Sequence, residues 1–529
     1  MQLPDFVFLH TADSICKLSP SGGIFKDASV ELKETNGLVK VSSTSSVTPL
    51  CYIRLRWNIP MPADALWLGD AWERSYGELQ WRTADSSRTM PWYFMMKAEN
   101  YFQGFGVKVR GGALAFWCVD SDGFTLWLDL RCGTQGVVPF GRSILAAEIV
   151  DSISENVNFT EAQRRFCAKM CNDPLLPPHA VYGSNNWYYA YGRISSESVL
   201  EDTRIIADLT KGFANRPYMV IDAGWQVPEK GKNMPGGQWV CGNVRFPQIE
   251  HLAAAMREYD VHPGIWFRPL QNAAPEIPAE WYIQRPENTE FVLDPSIPDV
   301  LEFICRDFHR LHDWGFELLK HDFSTYDLFG KWGFNAHPQL ATGNWRFADT
   351  TRTSAEIIVD FYRAVLKAAD GSLILGCNTI GHLGAGLMHL DRTGDDTSGR
   401  VWERTLKMGV NTLAFRLGQH NTFFDLDADC IGITPKIPWA KNRIWAELVA
   451  KSGTSFFASI QPGVLSEKEN AELREFLYIA STRPLHAEPV NSEFSVTPAV
   501  WCTEDGELSF EWFDKNGIVP EYIDQGLQR

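Results

Sequence analysis

Residues 316–322 read Phe316-Glu317-Leu318-Leu319-Lys320-His321-Asp322, a short apolar run that ends on a lysine and a carboxylate. The pattern predicts an amphipathic helix over Val300–Trp314 before it and another over Ser354–Ala369 after it. A buried strand with a helix on either side is the unit of a parallel sheet. The same unit recurs in both directions. Upstream come strand Val181–Ser184, helix Ser195–Leu209, strand Tyr218–Asp222, helix Ile249–Glu258 and strand Gly264–Arg268. Downstream come strand Leu373–Cys377 and helices Trp402–Met408 and Pro438–Ser452. Sustained from residue 180 to 452, this alternation suits a (β/α)8 TIM barrel better than a doubly wound sheet.

Before residue 174 the rhythm is different. Leu114–Val119 and Phe124–Leu130 alternate apolar and polar residues around the turn Asp120-Ser121-Asp122-Gly123. Repeated hairpins of this kind predict a β-sandwich. A helix over Glu161–Asn172 follows, and Pro174, Pro177 and Pro178 then break the chain. Short strands return at Phe494–Val496, Ala499–Cys502 and Leu508–Phe513. The expected organisation is an N-terminal β-sandwich over 1–173, a barrel over 174–458 and a small C-terminal β-domain over 459–529.

Composition excludes several partner classes. The chain has 529 residues, 45 % hydrophobic and 22 % charged, which excludes disorder. A net charge of −16 repels polyanions, so nucleic acid is not an expected partner. No apolar run reaches the roughly 20 residues of a membrane helix. The start, Met1-Gln2-Leu3-Pro4-Asp5, lacks a basic region and an apolar region of a signal peptide. That fits a cytoplasmic chain or the trimmed form of an exported one. Eleven cysteines, an odd number, make no disulfide framework, and Cys167 with Cys171 reads as two packed thiols. The 20 tryptophans have two readings: a heavily aromatic core, or flat apolar faces of the kind that sugars need.

Barrel enzymes carry their chemistry at the C-terminal ends of the strands. The polar residues there are Asp222, Arg268, Lys320, Asp322, Cys377, Asn378, Asp395 and Asp396, with Asp425, Asp427 and Asp429 after a further apolar run. Carboxylates converging on one mouth suit glycoside hydrolysis or a hard-metal site. The run Asp425-Leu426-Asp427-Ala428-Asp429 opens like a calcium loop but lacks its later glycine and glutamate. No phosphate loop or dinucleotide fingerprint is present, so neither metal nor cofactor is expected.

Ile221-Asp222-Ala223-Gly224-Trp225, Lys320-His321-Asp322, Gly376-Cys377-Asn378 and Arg392-Thr393-Gly394-Asp395-Asp396-Thr397 occur in the order of one group of enzymes. The chain resembles the α-galactosidase clan, chiefly glycoside hydrolase family 36, with family 27 as a relative. The resemblance implies a retaining glycosidase on terminal α-linked sugars, α-galactosides first. It implies Asp322 as nucleophile, and Asp396, four residues after Arg392, as acid/base, with Asp395 as the competing candidate. It implies that Asp222, Trp225, Lys320 and Cys377 contact the sugar, and Arg392 is a further candidate contact. A raised Asp396 pKa, from an apolar neighbour or from Asp395, is expected of an acid.

The chain departs from the family pattern at Ala223, where relatives carry a second aspartate. It departs again at Phe267-Arg268-Pro269, where many carry Glu-Pro-Glu. Arg268 reads as a carboxylate-binding cation or as half of a structural ion pair. Asp222 reads as a sugar ligand or a turn cap, Lys320 as a sugar contact or scaffold, and Cys377 as a contact or a buried small side chain. Trp187, Trp225 and Trp266 fall at strand ends where a sugar face can stack, and Trp187 reads equally as a packed aromatic. Trp117, Trp127, Trp501 and Trp512 fall in β-domain strands where core packing explains them. Trp72-Glu73-Arg74-Ser75-Tyr76-Gly77 has the residues to touch a substrate but reads more simply as surface or sandwich core. Three activities stay open: hydrolysis of α-linked glycosides or oligosaccharides, transglycosylation as in plant raffinose-family synthases, and sugar binding without catalysis. Oligomerisation stays open too.

Overall fold

A computed structural model describes residues 1–62, 64–227, 238–285, 291–336, 339–490, 492–518 and 520. Eight parallel strands close into a barrel. They run, in order, over Tyr182–Asn185, Tyr218–Ile221, His262–Phe267, Leu318–His321, Leu373–Gly376, Leu390–Arg392, Asp425–Ile433 and Ser455–Ile460. Nearly every residue in them is buried, as expected of strands covered on both faces.

The covering helices start where the sequence caps them. Ser195 caps Ser196–Leu209, Thr353 caps Ser354–Ala368 and Ser466 caps Glu467–Thr482, each in a reciprocal capping box. The last of these helices packs against the first barrel strand and the Ser196–Leu209 helix. The barrel therefore runs past residue 458, through the end of the eighth strand at Ile460 and this closing helix. The amphipathic face of Glu467–Thr482 belongs to the barrel wall, a role the sequence reading had not given it.

Asp425, Asp427 and Asp429 lie inside the seventh strand, not in a loop after one. At its start Asp425 pairs with Arg483 at 2.6 Å. A bulge between Asp427 and Cys430 breaks the register, with Asp429 at φ +71°.

The N-terminal region is a sandwich of a six-stranded and a seven-stranded sheet, joined in ladders that are all antiparallel. Phe105 of one sheet meets Phe124 of the other at 4.5 Å between ring centroids, and Phe94 meets Trp117 at 5.5 Å. Trp127 is on the outer face instead, stacked on Phe116. At the C-terminus a three-stranded sheet holds Glu488–Pro489, Val500–Thr503 and Gly506–Ser509. Phe494–Val496, expected as a strand, forms a turn. Residues 521–529 of the expected C-terminal domain lie outside the described residues.

The tryptophans divide mostly toward the core. Trp57, Trp92, Trp117, Trp225, Trp239, Trp445, Trp501 and Trp512 are all fully buried, away from the barrel mouth. All eleven cysteines are free thiols. No helix among the described residues is long and apolar enough to cross a membrane.

Candidate active site

The C-terminal mouth of the barrel holds a cavity of about 290 Å³. Its walls include Asp222, Lys320, Asp322, Asp395 and Asp396, the aromatic rings of Trp187, Trp266, Phe323, Trp332 and Phe334, and Arg74. The strand ends account for most of this set. In the fourth strand and one residue beyond its end, Lys320 and Asp322 project inward, while His321 turns out toward Phe361 and Tyr362 beneath the helices.

Asp322 is held from two sides. Trp266 Nε1 donates to its Oδ2 at 2.9 Å, and the Phe323 amide donates to its Oδ1 at 2.7 Å. Phe323 takes a left-handed φ of +66°, which turns the chain sharply just after the carboxylate. A left-handed, β-unbranched aromatic costs of order 1–3 kcal/mol and persists where the surroundings fix it. Here Arg268 stacks on the Phe323 ring at 4.5 Å.

Asp222 accepts from Lys320 Nζ at 2.7 Å and from Asn185 Nδ2 at 2.8 Å. Both members of the ion pair are buried, yet both reach the cavity wall. Ala223 lines the cavity beside them, where the resemblance would put a second carboxylate.

Asp395 and Asp396 follow the sixth strand. Asp395 is clamped between Arg74 at 2.7 Å and Arg404 at 2.5 Å. Asp396 is the more open of the two, with a side chain 36 % exposed against 15 %. Arg392 lies 3.3 Å from Asp396 and Arg74 lies 3.7 Å from it. Burial pushes the Asp396 carboxyl up, but the charges of Arg392, Arg74, Lys320 and Arg404 outweigh it and hold it at about 2. The elevation expected from an apolar neighbour or from Asp395 is absent, because cations surround this carboxylate. Arg392 is itself fixed by Asp429 at 2.8 Å, and Asp429 also accepts from the Thr397 amide at 2.7 Å. The bulge in the seventh strand thereby sets the chain next to Asp396.

Four expected contacts lie elsewhere. Trp225 is fully buried, donates to the Trp266 carbonyl at 2.8 Å and packs on Trp239. Three residues after Asp222 the chain has already turned away from the mouth. Arg268 is fully buried against Asp327, with Nε at 3.0 Å from the carboxylate, so it takes the structural reading. Cys377 and Arg392 sit behind the wall, with the Cys377 sulfur 3.4 Å from Arg392 Nη1. Burial raises the Cys377 thiol well above its usual range, keeping it neutral.

The residue that sequence reasoning left aside is Arg74. The segment Trp72–Gly77 leaves the N-terminal sandwich and lies alongside the exit of the sixth barrel strand. The Ser75 amide donates to the Thr393 carbonyl at 3.1 Å, and the Asp395 amide donates to the Ser75 carbonyl at 2.9 Å. This bridge delivers Arg74 into the cavity. Glu73, buried beside it, accepts from the Gly333 amide at 2.8 Å and from Asn378 and Tyr76.

Solved structures share this fold. A Thermus thermophilus α-galactosidase in complex with p-nitrophenyl α-D-galactopyranoside aligns at TM-score 0.62 and 16 % identity, over 96 % of this chain and 99 % of that one. The fold is that of the family 36 α-galactosidases. The family 36 α-galactosidase AgaA from Geobacillus stearothermophilus aligns at TM-score 0.62 and 15 % identity, over 90 % of this chain and 71 % of that one. A family 31 sulfoquinovosidase from E. rectale aligns at TM-score 0.56 and 11 % identity, over 94 % and 80 %. No family model matches the chain. The family 36 fold thus recurs here, with Asp222, Asp322 and Asp396 together at the barrel mouth.

Proposed function

We propose that the chain is a retaining glycoside hydrolase acting on terminal α-linked sugars, α-galactosides first. One observation carries the reading: Asp322 and Asp396, from the ends of the fourth and sixth strands, open into one sugar-sized cavity with the Asp222–Lys320 pair. The α-galactosidases of the same fold that hold p-nitrophenyl α-D-galactopyranoside and stachyose support the choice of sugar.

In this reading an oxygen of Asp322 attacks the anomeric carbon as the bond to the leaving oxygen breaks. Asp396 gives that oxygen a proton, then takes one from the water that releases the sugar. Trp266 and the Phe323 amide orient the nucleophile, and Asp222 with Lys320 offers an acceptor and donors to the sugar hydroxyls. The cations around Asp396 favour its anionic form, which suits the base half of the cycle. The acid half then favours acid pH, or a leaving group that departs with little proton assistance.

Hydrolysis of aryl α-glycosides of galactose, N-acetylgalactosamine, glucose, arabinose and fucose tests the reading, with the first-formed anomer read by NMR. Turnover with an α product supports it. A β product, or full activity in Asp322→Asn, sinks it. Transglycosylation is favoured by one further observation: a second, larger cavity shares Asp396 and has room for a sugar acceptor. Turnover that requires an added sugar acceptor would select that reading.

A further inference from the structure

Asp396 and Trp187 line both the 290 Å³ cavity and a neighbouring one of about 600 Å³. On the glycosidase reading above, on which this inference rests, a proton donor stands within hydrogen-bond reach of the glycosidic oxygen. The leaving group therefore extends from Asp396 into the larger cavity.

The charge of that cavity reverses the charge of the chain. The protein carries −16, yet the cavity wall presents Arg400, Arg404 and Lys436, with Asp396 as its one acid among the described lining residues, and of these cations Arg404 is already paired with Asp395. Arg400 lies flat over the Tyr191 ring at 4.0 Å, and Tyr191 is itself 5.6 Å from Trp187. Lys436 is exposed and makes no ion pair among the described residues. Its backbone is fixed all the same: the Lys436 amide donates to Thr434 Oγ1 at 3.1 Å, and that hydroxyl donates to the Gly399 carbonyl. A third cavity, on the N-terminal domain, gives the contrast. It is lined by Asp70, Glu78 and Asp85 against Arg74, Arg82 and Arg88, a balanced set, and it does not reach Asp396. Cations gathered in a concave site focus their field on whatever enters it.

We propose that the larger cavity is the leaving-group subsite and that it takes an aglycone carrying an anionic group, a carboxylate, sulfonate or phosphate. Trp187 and Tyr191 supply the apolar platform, and Lys436 supplies the charge.

Free leaving groups probe this subsite without turnover. Calorimetry compares 4-hydroxybenzoate, 4-hydroxybenzenesulfonate and 4-hydroxyphenyl phosphate with the neutral 4-hydroxybenzamide at millimolar concentration. At least one anion is expected to bind on the order of fivefold more tightly than the amide, the range of a partly exposed charge pair. Which anion leads identifies the acid class. In Lys436→Glu that advantage is expected to vanish or invert, while Lys436→Arg keeps it. Equal binding of all four compounds, no binding of any anion, or an advantage that survives Lys436→Glu overturns the proposal. A parallel assay of 4-carboxyphenyl and 4-carbamoylphenyl α-galactosides separates the two readings. If neither turns over, the glycosidase reading fails, and calorimetry alone still decides the subsite.

Discussion

Arg74 Nη2 stands 2.7 Å from Asp395 Oδ1, so a residue of the N-terminal β-sandwich forms part of the cavity wall at the barrel mouth. Its other nitrogen lies 3.7 Å from Asp396. The sandwich is therefore part of the site, and Arg74 acts on the reaction through the two carboxylates it touches.

Removing that cation has a signed consequence. Arg74 lowers the Asp396 carboxyl, so Arg74→Ala raises it. A general acid works only when protonated, and activity falls as pH rises through its pKa. The alkaline fall of the kcat/KM profile is therefore expected at higher pH in Arg74→Ala than in the parent enzyme. Arg74→Lys, which keeps the charge without the planar fork, is expected to lie between them. A profile that only loses height, with no lateral movement, would assign Arg74 a structural role alone.

The hydrogen bond from Trp266 to Asp322 gives a second expectation. Trp266→Phe keeps a ring against Trp239 but removes the Nε1 donor. A hydrogen bond to a charged group is worth about 1.5–3 kcal/mol. The expected loss is about tenfold to a hundredfold in kcat, with KM moved much less. Steady-state kinetics on an aryl α-galactoside checks it, and a change in KM alone would mean that Trp266 serves only as a sugar platform.

How far this site was legible in sequence follows from where each residue sits along the chain. Asp222, Lys320 and Asp322 were readable because a barrel sends its strand ends to one mouth and an apolar run marks their strands, whereas Asp396 follows Leu390-Asp391-Arg392, which is no apolar run, and was readable only through the family motif. Trp225 and Arg268 misled for a related reason. Beyond the last strand residue the period of two no longer holds, and the loop decides the direction. Arg268 turned under Phe323 to Asp327, a partner on a short helix after the fourth strand that no local pattern announces. Arg74 was illegible in another way. Its place is set by a backbone bridge between Ser75 and Gly394, and contacts so distant in the chain leave no spacing to read. The closing helix Glu467–Thr482 carried its capping box plainly, but a cap says where a helix starts and not which domain it serves.

The Asp222–Lys320 pair separates stability from function. Both side chains are buried, and loss of one partner from such a pair costs about 3–5 kcal/mol because the other charge is left uncompensated. Lys320→Met and Asp222→Asn are each expected to lower Tm markedly. The double variant Asp222→Asn/Lys320→Met is expected to recover much of that loss while remaining inactive toward every glycoside of the panel. Thermal melts and activity assays on the three variants check this. Recovery of activity together with Tm would mean that the pair is scaffold and touches no sugar.

The low proton affinity of Asp396 makes the choice of leaving group decisive. Held at about 2 by Arg392 and Arg74 against the effect of burial, it is largely an anion at neutral pH. Substrates whose leaving group needs a proton, such as alkyl α-galactosides, are expected to be slow there and to speed up as pH falls. Nitrophenyl α-galactosides, whose phenolates leave unaided, are expected to depend on pH much less in the first step. Asp396→Ala sharpens the contrast. General acid catalysis contributes about 10²–10⁴-fold, so the alkyl substrate should lose that factor and the nitrophenyl substrate far less. The second step still lacks its base in this variant, and the glycosyl-enzyme on Asp322 should accumulate as a burst of nitrophenolate. Azide, a nucleophile that needs no base, should then restore turnover and leave an α-glycosyl azide. Equal losses on both substrates, with no burst and no azide rescue, would move the acid/base role away from Asp396.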